Sequence, residues 1–149
     1  MDHQSPFSDC PNCLCFASRR AARSVTAVYD HHLRPHGLHG PQFTILSMLA
    51  LAGPTPLGTV AKWLGMDRTT LTRNFTLLQT KGWAQRRDDD NDARTQLLSI
   101  TPKGREVARS ALPAWRKAQD TVAAAFGAAG VAAIHRLANT QIAPDSISP

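Results

Sequence analysis

Glutamate is nearly absent from this sequence: Glu106 is the single copy among 149 residues, and the other acids are aspartates. Paired carboxylates for acid–base catalysis and a glycine-rich phosphate loop both lack support, so we do not expect an enzyme. No stretch of 18 uncharged apolar residues occurs, which predicts no membrane-spanning segment. Arg19, Arg20 and Arg23 interrupt the region where a secretory signal needs apolar residues, so we expect a cytoplasmic protein.

Cysteine is also scarce, and its three copies, Cys10, Cys13 and Cys15, crowd into six residues. An odd, clustered set is a poor disulfide framework. Three interpretations stay open: packing of small apolar side chains in the first helix, sensing of oxidants or electrophiles by thiols near a helix N-terminus, or binding of a thiophilic metal. The metal interpretation needs a fourth ligand from His3, His31, His32, His36 or His39. Because a second CxxC pair is missing, we predict neither a metal nor another cofactor.

Acidic charge is outweighed by basic charge. Lysine and arginine total 17 against 11 acids, which gives a net charge of +6 and an isoelectric point near 9.9. Arginine supplies 13 of the 17 cations, and its planar guanidinium suits phosphate and guanine. A small basic chain of this kind has nucleic acid as its expected partner.

Apolar periodicity and breaker residues predict a mainly helical chain with one β-hairpin. The first residues, 1–12, and the tail, 143–149, are expected to be loose. The predicted helices cover 14–33, a segment starting at 40–41 and ending before 53, 57–64, 68–81, a long helix from 102, and a last one at about 131–138; the predicted strands are 83–87 and 96–100. Pro113 is expected to bend the long helix.

The segment 57–81 is typical of a helix-turn-helix, and the hairpin at 83–100 adds a wing. In the second helix, Leu71, Phe75 and Leu78 share one face and are expected to pack inward. The opposite face and the first turn offer hydroxyls and guanidinium groups without an acid, which suits the major groove. This predicted DNA-contacting set comprises Arg68, Thr69, Thr70, Thr72, Arg73 and Thr76. The alternative, an ordinary solvated face, usually carries glutamate and lysine instead.

The hairpin supplies a second predicted contact. Arg86, Arg87 and Arg94 flank the acidic turn at 88–92, and an arginine at a hairpin tip suits a narrow minor groove. We expect the Asp92 carboxylate to hold the Arg94 guanidinium outward. The alternative is an internal cluster of ion pairs within the turn.

Several short motifs together resemble the MarR family of bacterial regulators. They are Met66-Asp67-Arg68-Thr69-Thr70-Leu71-Thr72-Arg73, Leu77-Leu78, Lys81-Gly82-Trp83, Asp92-Ala93-Arg94 and Leu98-Ser99-Ile100-Thr101-Pro102-Lys103-Gly104. The resemblance covers about residues 14–140. It implies a homodimer on a pseudo-palindromic operator, most often a repressor, that a small phenolic ligand or an oxidant releases from DNA. It also implies that Arg73 is the recognition-helix arginine and Arg94 the wing arginine; the run Asp88-Asp89-Asp90 departs from the family's mixed charge.

We therefore expect one domain over 1–149, a winged helix-turn-helix dimerised through its N- and C-terminal helices. Residues 14–36 and 101–140 would form the dimer, and 41–100 the DNA-binding lobe. By analogy with relatives, Arg20, His36 and His39 are candidate linings of a ligand cleft. Two alternatives remain: a thiol redox protein using Cys10 and Cys13, which would need a strand–helix–strand setting, and an architectural protein that binds DNA without sequence preference.

Overall fold

A computed structural model describes residues 5–140, in which helices dominate and one small sheet is present. The helices are α1 Leu14–Leu33, α2 Gly40–Ala52, α3 Leu57–Leu64, α4 Arg68–Thr80 and α5 Pro102–Asn139; the strands are β1 Thr55–Pro56, β2 Ala84–Asp89 and β3 Asp92–Ile100. The predicted fold class is confirmed. His3 and the predicted loose tail at 143–149 lie outside the described residues.

The sheet is built around β3, which pairs with β1 on one side and β2 on the other, both antiparallel. The predicted hairpin is present, and its strands run further toward the tip, with an irregular step at Asp88 and Asp89. Strand β1 was not predicted, since we expected Thr55 and Pro56 only to end the preceding helix. Two residues have no periodicity to detect, and an edge strand tolerates a proline that cannot donate to the ladder.

Helix α4 packs on a hydrophobic core to which α2 contributes the most large buried side chains. Ile45, Leu46 and Leu49 of α2 are fully buried, as are Leu71 and Phe75 of α4. Val60 of α3, Leu98 of β3 and Leu78 belong to the same cluster. The lobe therefore has a continuous core that holds one face of α4 and leaves the other outside.

Two predicted helix caps position the elements on either side of the wing. The Asp67 carboxylate accepts a hydrogen bond of 2.8 Å from the Thr70 backbone N–H at the start of α4. The Thr101 hydroxyl accepts one of 3.0 Å from the Gly104 N–H at the start of α5. Each cap satisfies a backbone donor that a helix N-terminus leaves free.

Helix α5 contains the break that the prediction of a long helix followed by a separate one requires. It continues through Pro113 and departs from helical geometry at Gly127, where φ is 67° and ψ is 173°. A positive φ of this kind is accessible to glycine at little cost. The helix predicted at about 131–138 therefore corresponds to the segment of α5 that follows Gly127 and extends to Asn139.

The two terminal helices form arms that pack on each other and on α2, and their outer parts are little buried. Leu33 is the one buried residue of α1, and the part of α5 beyond Ala118 contains none among the described residues. Leu14 and Leu137 are 85% and 73% exposed. Each arm thus presents apolar surface that residues 5–140 of the same chain do not cover. The predicted loose arm at 1–12 is in part a 3-10 turn, Cys10–Asn12.

One stretch of α5 is long and apolar enough, by length and composition, to cross a membrane, and none of it is buried within the chain. The prediction of no such stretch rested on the lack of an uninterrupted uncharged run. The same helix begins with charged residues and packs on both α1 and α2, which ties it to the arms.

Candidate nucleic-acid interface

The two faces of α4 separate as the sequence predicts. Leu71, Phe75 and Leu78 are fully buried, and these side chains fix the rotation of the helix about its axis. All six predicted contact residues are exposed: Arg68, Thr69, Thr70, Thr72, Arg73 and Thr76. The exposed face therefore offers two guanidinium groups and four hydroxyls to a partner.

The four hydroxyls are not equivalent. That of Thr70 donates to the Asp67 carboxylate at 2.6 Å, and that of Thr76 donates to the Thr72 carbonyl at 2.8 Å. Thr69 and Thr72 show no such intramolecular donation among residues 5–140. Thr70 and Thr76 thus present methyl groups and acceptor lone pairs, whereas Thr69 and Thr72 keep a free donor.

Arg68, Thr69, Thr72 and Arg73 line one open concavity of about 360 Å³ on the surface of α4. Every lining side chain can donate a hydrogen bond, and two carry a positive charge. At this surface a base edge or a phosphate oxygen would meet donors, and no acid of the lining would repel it.

Asp67 precedes Arg68, the first residue that lines this concavity, and acts as the N-cap of α4. The Thr70 hydroxyl, followed by the Thr70 backbone N–H, lowers the pKa of the Asp67 carboxyl below its usual 3.8. The carboxylate is therefore ionised at neutral pH and holds the first turn of α4, where Arg68 and Thr69 begin the exposed face.

Arg94 is exposed on β3, and the expectation that Asp92 holds its guanidinium is wrong. The Asp92 carboxylate accepts from the Arg94 backbone N–H at 3.0 Å and from the Thr95 hydroxyl at 2.9 Å. These bonds, the first above all, lower the pKa of Asp92. The carboxylate shapes the backbone at the base of the tip and leaves the guanidinium of Arg94 to solvent.

The alternative of an ion-pair cluster in the wing finds no support in the part of the chain that the structure describes. The salt bridge found there joins His39 to Asp30 at 3.5 Å, away from the hairpin. Arg87 and Arg94 are both exposed, so the wing carries two arginine side chains that a partner can reach.

Arg86 has a different setting from the other two wing arginines. It is half-buried, and its guanidinium lies 5.4 Å from the centroid of the Phe75 ring. A cation over an aromatic face stabilises the contact between wing and recognition helix. This packing was not predicted, because sequence spacing does not show which side chain of a hairpin meets a helix behind it; a direct DNA contact by Arg86 stays a prediction.

All three cysteines are exposed and free, so packing inside the chain does not explain them. Cys13 is the N-cap residue of α1 and Cys15 lies in its first turn. The Cys13 backbone N–H donates to the Cys10 carbonyl at 3.1 Å, so one tight turn brings these two residues together.

A metal site using these thiols is not assembled within residues 5–140, where no group of three or more potential ligands is close enough to hold an ion. His31 and His32 lie at the far end of α1 from Cys13. At a rise of 1.5 Å per residue this separation is about 27 Å. His36 and His39 follow that same far end of the helix, and His3 lies outside the described residues.

The three residues predicted to line a ligand cleft do not meet in one chain. His39 pairs with Asp30, while the His36 ring nitrogen lies 3.4 Å from the Ser110 hydroxyl. Arg20 is exposed on α1, about 20 Å along the helix from its end at Leu33. The structure offers a different concavity, a groove between α2 and α5.

This groove consists of two neighbouring cavities of about 370 and 290 Å³ that share Ser47, Leu51 and Leu112. Trp115 lines one cavity, and Arg105 and Arg109 line the other. The sequence did not indicate the groove because an apolar residue of α2 has the same pattern whether it faces the core or a cavity. Leu51, for example, is 83% exposed.

Comparison with known proteins supports this geometry. Residues 36–95 match the MarR family. The Mycobacterium tuberculosis transcriptional regulator MosR, solved in complex with DNA, is 37% identical, with a TM-score of 0.70 over 77% of this chain and 84% of that one.

Two curated relatives match in part. The Bacillus subtilis regulator YwoH is 30% identical over 55% of this chain, and the Escherichia coli repressor MprA is 46% identical over 34% of it. The matches span 59% and 28% of those two proteins. From the profile match, the MosR likeness and the winged helix-turn-helix, it follows that the chain belongs to the MarR family.

Proposed function

We propose that this protein is a transcriptional regulator that binds a pseudo-palindromic operator as a homodimer. The observation that carries the proposal is the exposed, acid-free face of α4 formed by Arg68, Thr69, Thr72 and Arg73. The DNA complex of the relative MosR supports the same chemistry for this fold. The matched family and relatives are regulators, which argues against the thiol-enzyme alternative.

The homodimer is supported by the arms. Leu14 and Phe16 of α1 are 85% and 53% exposed, and Phe126 and Leu137 of α5 are 42% and 73% exposed. Large apolar side chains left exposed on both arms favour an interface there. Pairing two chains about a dyad presents two α4 helices to half-sites about 34 Å apart, which one helix cannot read alone.

Arg73 tests base reading. We expect Arg73→Ala to weaken operator binding and to reduce discrimination against a mutated half-site by about 10- to 100-fold, because a lost bidentate contact is worth about 1–3 kcal/mol. Arg116→Ala, an exposed arginine of α5, is the matched control. Competition binding with operator and scrambled duplexes measures both effects, and equal discrimination by the two variants would contradict the assignment.

Arg94 tests the wing. Since the minor groove carries little sequence information, we expect Arg94→Ala to weaken binding to operator and scrambled duplexes alike, and to lower the salt dependence. Unchanged affinity would remove the wing from the proposal. If the parent protein itself bound every duplex equally, the architectural alternative would replace sequence-specific regulation.

We propose repression as the mode of control, as the name of the relative MprA records for that protein. A reporter gene behind the bound promoter should be more active when this chain is deleted and should return to its lower level when the chain is restored. A reporter that loses activity on deletion would indicate an activator.

Thiol oxidation is the proposed signal, because the cysteines are exposed and the turn holds Cys10 close to Cys13. Oxidation by peroxide joins two thiols as a disulfide, with both protons and two electrons passing to the peroxide to give two waters. Peroxide should release the parent from operator and leave the Cys10→Ser/Cys13→Ser/Cys15→Ser variant bound. Identical responses would exclude thiol control.

A small phenolic effector is the second proposed signal. The groove between α2 and α5 offers apolar walls with Arg105 and Arg109 beside them, which suits an aromatic anion. Adding a hydroxybenzoate should lower operator affinity in the parent and less so in Leu112→Trp, which fills the groove. No response in the parent would leave oxidation as the signal.

A further inference from the structure

Lys81 occupies a junction that the DNA-facing surface does not include. It is the C-cap residue of α4, and its ammonium donates a hydrogen bond of 2.6 Å to the carbonyl of Gly37, 44 positions earlier in the chain. Gly37 follows the 3-10 turn that ends the α1 arm. One side chain thus joins the end of the recognition helix to the end of a dimerisation helix.

The same ammonium lies 4.6 Å from the centroid of the Trp83 ring. The edge of the indole also approaches Gly37 so closely that a β-carbon built there would lie 3.3 Å from the ring. Gly37 also has a φ of 70°, which disfavours any other residue. The Trp83 indole, the Lys81 ammonium and Gly37 therefore lie in mutual contact.

Trp83 also contacts the start of α5 through its backbone, and it directly precedes strand β2 of the wing. Its carbonyl accepts from the Thr101 N–H at 3.0 Å, and the backbone of Gly104 packs on it so tightly that no β-carbon fits. The ends of α1 and α4 and the starts of β2 and α5 therefore meet at this one residue, the first two near its ring and α5 at its backbone.

Building on the proposed DNA-binding function, we propose that Lys81 is a positioning residue that sets the angle of α4 against the dimerisation arms. It lies about 12 Å along the helix axis from Arg73, so it acts on DNA through the orientation of α4. A cation at a helix C-terminus also favours the helix dipole, which keeps the ammonium at this end.

The test compares Lys81→Met, which keeps an apolar stem and loses the charge and donor, with Lys103→Met, an exposed lysine in the first turn of α5. We expect Lys81→Met to lower operator affinity by about 10-fold, within the range found for residues that couple two elements. The slope of affinity against salt should stay that of the parent, because no phosphate contact is lost. Lys81→Arg keeps a cation and donors and should restore most of the affinity.

A second measurement needs no DNA. Spin labels at Gln79→Cys, in a chain whose native cysteines are serine, report the distance between the two α4 helices of a dimer. Lys81→Met and Gly37→Ala should each broaden this distance distribution, while Lys103→Met should leave it narrow.

Three results would overturn the inference: equal affinities for Lys81→Met and Lys103→Met, a salt slope reduced by about one, which marks a phosphate contact, or an unchanged distance distribution. If the parent binds no operator, the proposed function fails, and the distance measurement still decides whether the junction orients α4.

Discussion

The lobe at 41–100 and the arms at 14–36 and 101–140 handle apolar side chains in opposite ways. In the lobe, Phe75 and Leu46 are fully buried, and the core closes within one chain. In the arms, Leu14 and Leu137 are mostly exposed. The difference indicates that the core of the lobe closes within one chain, with Leu33, Ala108 and Ala111 contributed by the arms, whereas the outer parts of the arms depend on a second surface.

The lobe and the arms also determine two different features of the DNA-facing surface. The lobe holds α4 by local caps and by a core on one face, which sets where each contact residue points. The arms set where a whole lobe lies relative to another. Lys81 and Trp83 link the orientation of α4 to the position of the arms, since their contacts extend from the end of α4 to the end of α1.

The largest expected effect follows from deleting a ring in the lobe. Phe75→Ala should reduce the free energy of unfolding by about 3–5 kcal/mol, because it leaves a cavity in a closed core, and it also removes the surface on which Arg86 lies. Urea unfolding measures this at a fixed protein concentration. Phe126→Ala, the same change in an arm, should cost far less in dilute protein, and equal losses would break the contrast between lobe and arms.

A charge added to an arm is expected to change the free energy of unfolding less than Phe75→Ala does, and to weaken dimerisation strongly. Ile134 is 40% exposed in one chain. Ile134→Asp should weaken dimerisation by about 100-fold or more, since an unpaired carboxylate is costly to bury. Sedimentation over a range of concentrations measures this, and the lobe should keep its cooperative unfolding.

Gln85→Asp, an exposed position in the lobe, is the control for an added charge and should remain dimeric. If Ile134→Asp also remained dimeric, the exposed apolar surface of α5 would not be an interface. If it unfolded the lobe, the arms would contribute more to the stability of one chain than their exposure suggests.

The features that the sequence predicted well are those that interactions between neighbouring residues determine. The bounds of α1 and α3 agree with the prediction, because breakers and apolar spacing act within a few residues. The division of α4 into a buried face with Leu71 and an exposed face with Arg73 follows from the same local periodicity.

What the sequence did not predict depends on contacts between distant segments or on one backbone angle. Strand β1 exists only because β3 lies beside it, and Arg86 meets Phe75 only after the wing folds back on α4. The position of the break in α5, at Gly127, rests on a positive φ that a glycine permits without requiring. The groove between α2 and α5 likewise needs both helices in place.

The smallest expected change in stability follows from removing the N-cap of α4. Its dependence on pH distinguishes this cap in the lobe from an exposed aspartate in an arm. At pH 7, Asp67→Ala should lower Tm by about 2–4 °C, since it removes the acceptor for the Thr70 N–H. The folded pKa of Asp67 lies below the value of 3.8 that applies when unfolded. The stabilisation is therefore fully present above pH 3.8 and is lost as pH falls through the lowered pKa. The Tm difference between parent and variant should shrink over that acidic window and stay constant at higher pH.

Asp120→Ala, in the exposed part of α5, provides the matched loss of an aspartate, and thermal unfolding at one protein concentration measures all three chains. This control should show no Tm difference that follows the same acidic window, because Asp120 caps no helix. Asp67→Asn keeps a side-chain acceptor and should recover much of the loss at pH 7 without the dependence on acid, since an amide has no proton to gain there. A Tm difference for Asp67→Ala that stayed constant down to pH 2 would contradict the cap as an ionised acceptor. It would then follow that the first turn of α4, and with it Arg68 and Thr69, is held by the core beneath Leu71 and not by its own N-cap.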